Sequence, residues 1–174
     1  ADSDDGKEAV AIIPRSMMIN QAEALVPNST KANVGQPYFG VDAPWLVTTD
    51  YKYDLPTEST SGKVTVDDST GKGMFAYGGL RMGGEAFYGM NITNSTTPEV
   101  LFTITPEGLN GQASTDFTRL GQIWSKPTAA RIRLTKDKDP IDVLIFGGGY
   151  DINYESDDYV ATSTTPAKGN AIYI

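Results

Sequence analysis

The chain has 174 residues and a net charge of -8, with 14 Lys and Arg against 22 Asp and Glu. That balance argues against a nucleic-acid surface, which needs basic stripes. The absence of both cysteine and histidine removes disulfides, thiolate catalysis, the usual general base and the commonest zinc ligands. A hydrophobic content of 39% with 10% aromatics suffices for one domain with a core, and 18 glycines, 10 prolines and short β-branched runs point to an all-β protein. No apolar run is long enough for a membrane helix, so membrane insertion is not expected.

After an acidic start, Glu8-Ala9-Val10-Ala11-Ile12-Ile13 reads as a strand that Pro14 ends. Residues 15–25 then carry Met17, Met18, Ala22, Ala24 and Leu25 at helical spacing and predict one short helix. Trp45 to Thr49 is a strand entered through Pro44. From Lys52 to Lys72 the composition turns to Ser, Thr, Asp and Gly with one weak strand at Lys63–Val66, so an exposed hairpin or loop insertion is expected there.

Gly78-Gly79-Leu80-Arg81-Met82-Gly83-Gly84 lies between apolar runs at Met74–Tyr77 and Ala86–Ile92. It reads as a hairpin turn in which glycines 78, 79, 83 and 84 give the backbone positive φ. A phosphate cradle opens a helix, whereas this turn opens a strand. Val100, Phe102 and Ile104 alternate as in a half-buried strand. Residues 44–49, 73–79, 85–92 and 99–105 are therefore expected to form one antiparallel four-stranded meander. The order recurs downstream: Ala129–Leu134, the charged turn Lys136–Pro140, the strand Asp142–Phe146, a Gly-Gly-Gly stretch, a polar loop, and Gly169–Ile174.

These pieces align as an internal repeat. Phe75–Gly79 matches Leu144–Gly148, Gly84–Tyr88 matches Gly169–Tyr173, and Val10–Pro14 matches Phe102–Pro106. A meander that cannot cover both of its faces alone stacks radially, as in a β-propeller. On this count residues 1–174 are a single partial propeller domain of about two blades: the last strand of one, a whole blade at about 44–105, and three strands of a third. The alternative is a β-sandwich. A propeller needs more blades than this, so the chain is expected to be a piece of a longer polypeptide whose remaining propeller segment pairs with its open edges.

The ordered set Glu8–Pro14, Tyr38–Pro44, Gly79–Gly84 with Phe87–Asn94, Leu120–Pro127, Phe146–Asp151 and Gly169–Ile174 resembles the C-terminal β-propeller of PilY/PilC-type proteins over nearly the whole chain. The resemblance implies a non-enzymatic type IV pilus biogenesis and adhesion factor, located at the pilus tip or outer surface. Implied partners are minor pilins, the pilus tip and host or abiotic surfaces. Met82 and Glu85 stand where the family has small or basic residues. The family's own calcium loop would fall after Ile174, so no ligands are carried over from it.

Asp151, Asn153, Glu155 and Asp157 place oxygen side chains at alternate positions, as the first half of a calcium loop does. Ser156 replaces the usual glycine and Thr162 the bidentate glutamate. Calcium is thus a candidate ligand there beside a plain solvated loop, and no other cofactor is expected. Asn28, Asn91 and Asn94 begin sequon triplets that chance explains, and Trp45 and Trp124 are expected to pack between blades. Asp67 and Asp68 form a carboxylate pair, but nothing in the sequence faces them across a cleft as glycoside chemistry requires. The enzyme-class alternative is a quinoprotein-like propeller dehydrogenase, which needs a quinone pocket with calcium and an aspartate base.

Overall fold

The computed structural model describes residues 8, 10–25, 38–58 and 61–174, with the side chains of 23 and 25 omitted. Its strands are β1 (Leu46–Thr49), β2 (Tyr51–Asp54), β3 (Lys63–Val66), β4 (Met74–Gly79), β5 (Phe87–Asn91), β6 (Glu99–Thr105), β7 (Gly108–Leu109), β8 (Gln112–Ala113), β9 (Thr128–Ile132), β10 (Ile141–Gly147) and β11 (Ile172–Tyr173). They form a six-stranded sheet in the order β1-β4-β5-β6-β7-β8, a three-stranded sheet β11-β10-β9 and a separate hairpin β2-β3. Every named pairing is antiparallel. The protein is mostly β, as composition suggested, and among the described residues no sheet closes on itself.

The expected meander is present, since β1, β4, β5 and β6 are consecutive neighbours. The tiny hairpin β7-β8, which extends that sheet, was invisible because two-residue strands carry no period. The helix is shorter than its sequence pattern: α1 covers Arg15–Asn20, followed by a 3-10 turn at Ala22–Leu25. Of the strand expected at Glu8–Ile13, the described residues form none. Ala9 lies outside the described residues, and Glu8 and Val10–Ile13 join no sheet, because an apolar run becomes a strand only where a ladder accepts its backbone groups.

Packing corrects the reading of the central turn. Among its glycines only Gly84 has positive φ, at 149°, and the left-handed position is Arg81 at 55°. Gly78, Gly79 and Gly83 are small for want of space. A Cβ would lie 2.5 Å from Cγ of Trp45 at Gly78, 2.4 Å from Cβ of Ile123 at Gly79, and 2.0 Å from the Gly40 carbonyl oxygen at Gly83. Trp45 is held over Gly78 by an indole N–H donated to the Gly79 carbonyl at 3.1 Å. This large-on-small contact belongs to one face of the six-stranded sheet, the back, with Leu80, Ala86 and Tyr88. The opposite face, the front, carries Phe75, Tyr77, Phe87, Phe102 and Ile104. There Phe87 and Phe146 stack with centroids 4.0 Å apart and planes 5° from parallel. Leu120 and Ile123 complete this core at 0% exposure.

Strand register shifts the internal repeat by one residue. Gly78 is opposite Tyr88 and Gly79 opposite Phe87, while Phe146 is opposite Tyr173 and Gly147 opposite Ile172. Keeping Tyr173 equivalent to Tyr88 therefore makes Gly147 the counterpart of Gly79 and Phe146 that of Gly78. Gly84 and Gly169 then coincide, and both have positive φ. Under this alignment Trp45, ahead of β1, corresponds to fully buried Pro127, ahead of β9. The bulk moves from one strand to its neighbour: Trp45 over Gly78 in the first sheet, Pro127 beside Phe146 in the second. The front of the first sheet consequently meets the back of the second, so the two equivalent sheets stack with the same orientation.

Candidate functional site

The short turn 80–86 between β4 and β5 is replaced, between β10 and β11, by the long loop 148–171. The loop begins in a tight lattice of backbone. Gly121 N–H donates to the Gly148 carbonyl at 2.7 Å, Gln122 and Tyr150 exchange N–H···O bonds at 2.8 Å in each direction, and Gly169 N–H donates to the Arg119 carbonyl at 2.7 Å. A Cβ on Gly121 would lie 2.3 Å from the Tyr150 carbonyl oxygen, and one on Gly149 2.2 Å from that of Gln122. The Phe-Gly-Gly-Gly-Tyr-Asp stretch thus lets segment 119–123 lie against the loop base, with Leu120 and Ile123 directed into the core.

Asp151 closes this lattice. It is 2% exposed, and its carboxylate accepts four hydrogen bonds: Oδ1 from Asn153 N–H at 3.0 Å and Asn153 Nδ2 at 2.7 Å, and Oδ2 from the Tyr159 hydroxyl at 3.1 Å and Lys168 N–H at 3.0 Å. Burial pushes its pKa up, but the donors from Lys168, Asn153 and Tyr159 outweigh burial and the carboxyl is held below its ordinary value. Burial first, and then the bond to Asp151, raises the Tyr159 hydroxyl pKa. Asp151 caps the 3-10 turn Ile152–Glu155 and spans the loop from 153 to 168.

Of the four residues of the calcium-like pattern, Asp151 and Asn153 are in contact, through Asn153 nitrogens donated to the Asp151 carboxylate. Asp151 faces inward, whereas Asn153, Glu155 and Asp157 are exposed, and Glu155 Oε1 accepts from the Tyr150 hydroxyl at 2.9 Å. Among the described residues no three His, Cys, Asp or Glu side chains are grouped to hold a metal ion. A calcium ion bound through Asp151 would have to displace donors that already use the lone pairs of its carboxylate.

The Asp67–Asp68 pair is divided in the same way. Asp67 is buried and accepts from Lys72 Nζ at 2.8 Å and from the Ser69 hydroxyl and N–H at 2.7 and 3.1 Å. The Lys72 bond first, then the two from Ser69, lower its pKa to about 2. Asp68 points outward to Lys52 at 2.7 Å. Both carboxylates therefore tie down the base of the β2-β3 hairpin. Asn91 and Asn94 use their side-chain oxygens in local turns, accepting from Thr93 and Thr96, and Asn28 lies outside the described residues.

Trp124 departs from expectation. It is 43% exposed, with Arg81 stacked 4.2 Å above its ring and Tyr150 edge-on at 6.3 Å. Arg81 also reaches Asp42 at 3.4 Å, and Lys168 pairs with Glu85. The turn 80–86, the segment before β9 and the long loop thus meet at one end of the sheets through charge and aromatic faces. Sequence reasoning missed this cluster, because its members are far apart in the chain and each is an ordinary surface residue alone.

The front of the first sheet and the back of the second also enclose a cleft of about 1180 Å³, lined by Phe75, Tyr77, Phe102, Ile104, Leu144 and Tyr173 among others. Burial raises the hydroxyl pKa of Tyr77 and Tyr173. Aromatic and aliphatic side chains form its centre, and Thr48, Asp50, Lys72, Asn110, Arg131 and Asp142 also line it. No protein-family model matches the chain, and comparison with curated proteins and with solved structures finds no match.

Proposed function

We propose that the chain is part of a β-propeller of a PilY/PilC-type protein, a non-enzymatic type IV pilus factor acting in pilus assembly and adhesion at the pilus tip or outer surface. The observation that carries the architectural part is the front-to-back stacking of two equivalent meanders. Radially stacked blades repeat in this sense, each presenting the same face to the next. In a sandwich, by contrast, the inner faces of two sheets meet. The functional part rests on the ordered sequence landmarks from Glu8–Pro14 to Gly169–Ile174. In this reading the sheets are scaffold, and the β2-β3 hairpin and the 148–171 loop are surface elements that the scaffold presents. Asp67 and Asp68 hold the hairpin at its base, and the glycine lattice with the Asp151 hydrogen bonds holds the loop. Remaining blades come from another segment of the same protein.

Pull-down of purified minor pilins on the immobilised chain, with the 148–171 loop shortened as a second bait, tests the proposal. Retention of one or more minor pilins supports it, and retention of none overturns the pilus assignment. A bound quinone absorbance after incubation with pyrroloquinoline quinone would replace it with the dehydrogenase reading.

A further inference from the structure

The β2-β3 hairpin has two unlike faces. Its register sets Tyr51 opposite Val66 and Tyr53 opposite Val64 on one side, and Lys52 opposite Thr65 and Asp54 opposite Lys63 on the other. Leu55, two residues beyond Tyr53, continues the apolar side. Tyr51, Tyr53, Leu55 and Val64 are 66, 57, 76 and 61% exposed; Tyr53 lies against Gly62, and the face otherwise stays mostly open among the described residues. An isolated two-stranded hairpin is marginal in water and gains independent stability when its apolar face is packed. Here the base is fixed instead by Asp67 and Asp68, which leaves the apolar face presented outward.

We propose that this face is an interface between two copies of the chain, packed apolar side to apolar side about a two-fold axis. The distribution of charge selects a second copy. With a net charge of -8, self-association is opposed wherever carboxylates crowd, yet every charged side chain of β2 and β3 lies on the opposite face. An apolar patch meeting its own copy involves no like-charge contact, and an isologous contact closes at the dimer. At about 150 Å² for a large aromatic side chain, the face offers about 500 Å² per copy. The pair would then bury about 1,000 Å², above a lattice contact and just below a standard interface. The expected complex is therefore a weak, reversible dimer. This inference is independent of the propeller reading.

Sedimentation equilibrium over a concentration series tests it on the intact chain. The weight-average mass should rise with concentration from 18.7 kDa and level off at twice that value. Tyr53→Ser with Val64→Ser should weaken association at least tenfold while leaving the melting temperature unchanged, because neither side chain belongs to the core. Should that variant misfold, Val64→Cys serves instead. In a chain without cysteine it should form a disulfide-linked dimer faster than Val160→Cys, although Val160 is the more exposed position at 76% against 61%. A constant monomer mass up to about 1 mM, association that survives the double serine variant, equal cross-linking at both cysteines, or growth beyond a dimer would each overturn the proposal.

Discussion

Replacing Asp151 with asparagine keeps the size and removes the charge and half the accepting capacity. In the native loop the carboxylate takes four hydrogen bonds, two per oxygen. The asparagine amide oxygen retains one pair, and its NH2 group confronts the donors of the other. Hydrogen bonds to a charged group contribute about 1.5–3 kcal/mol each, and a buried donor left unpaired costs about 1–3 kcal/mol. Tyr159 is half-buried and Asn153 exposed, so both can turn to water. The Lys168 N–H, between the loop and the glycine lattice, has less freedom. The expected loss is about 2–4 kcal/mol, or roughly 5–15 °C in a domain of this size. Urea denaturation of both proteins at pH 7, followed by tryptophan fluorescence, measures it. The pH dependence supplies a second check with a definite sign. The folded pKa of Asp151 lies below its unfolded value, so its contribution is full above the unfolded pKa, near 4, and is lost as pH falls through the folded one. The gap between wild type and variant should therefore shrink as the solution is acidified from pH 5. A loss under about 0.5 kcal/mol, the range of an ordinary surface change, would refute the reasoning. Calcium heat in a titration, abolished by Asp151→Asn, would point instead to a metal role.

Phe146→Ala removes the ring stacked on Phe87 in the centre of the core and should cost about 3–5 kcal/mol by denaturant titration. Gly78→Ala drives a methyl into the Trp45 indole and should destabilise by about 1–3 kcal/mol through overpacking. Gly71→Ala meets no atom within 4 Å and is opposed only by its φ of 80°, so its loss should stay near 1 kcal/mol; reversal of that order would refute the packing argument. Asp67, with a folded pKa of about 2, adds stability above the unfolded pKa that disappears between about pH 4 and pH 2. Lys72→Met should move its carboxyl titration upward in a carbon-detected NMR experiment.

What the sequence made legible was decided by how local each signal is. The meander from β1 to β6 was readable because alternation, turn glycines and strand length all lie within a few residues of one another. Glu8–Ile13 had the same alternation, yet strand formation also needs a neighbouring ladder, which a local pattern cannot report. The β2 strand was missed because Tyr51, Lys52, Tyr53 and Asp54 adjoin a Ser- and Thr-rich stretch, and their apolar side faces out. At the loop, the alternation of oxygen side chains from Asp151 to Asp157 was real, but its meaning depended on Tyr159 and Lys168. Those donors hold the Asp151 carboxylate buried across the loop, a role that the local spacing does not announce. Trp124 was misplaced for a similar reason: nothing near it in sequence announces Arg81.

The glycines show how a repeat is recognised more readily than it is aligned. Strings of Gly-Gly after an aromatic strand match at two adjacent offsets, and sequence alone favours the one that pairs Gly78 with Gly147. Register selects the other, with Phe146 in the place of Gly78. The choice has a physical consequence, because a one-residue slip reverses which face every side chain of a strand occupies. With the sequence offset, Tyr77 and Phe146 would be equivalent and like faces would meet, as in a sandwich. With the structural offset, Phe87 of one sheet lies against Phe146, the counterpart of Gly78, and unlike faces meet. The glycine beneath Trp45 and the phenylalanine beside Pro127 are then two solutions of one volume constraint. Exchanging bulk across that site in one sheet alone, by Gly78→Phe with Trp45→Pro, should fold far better than Gly78→Phe by itself. Equal stability of the two variants would remove the equivalence on which the stacking argument depends.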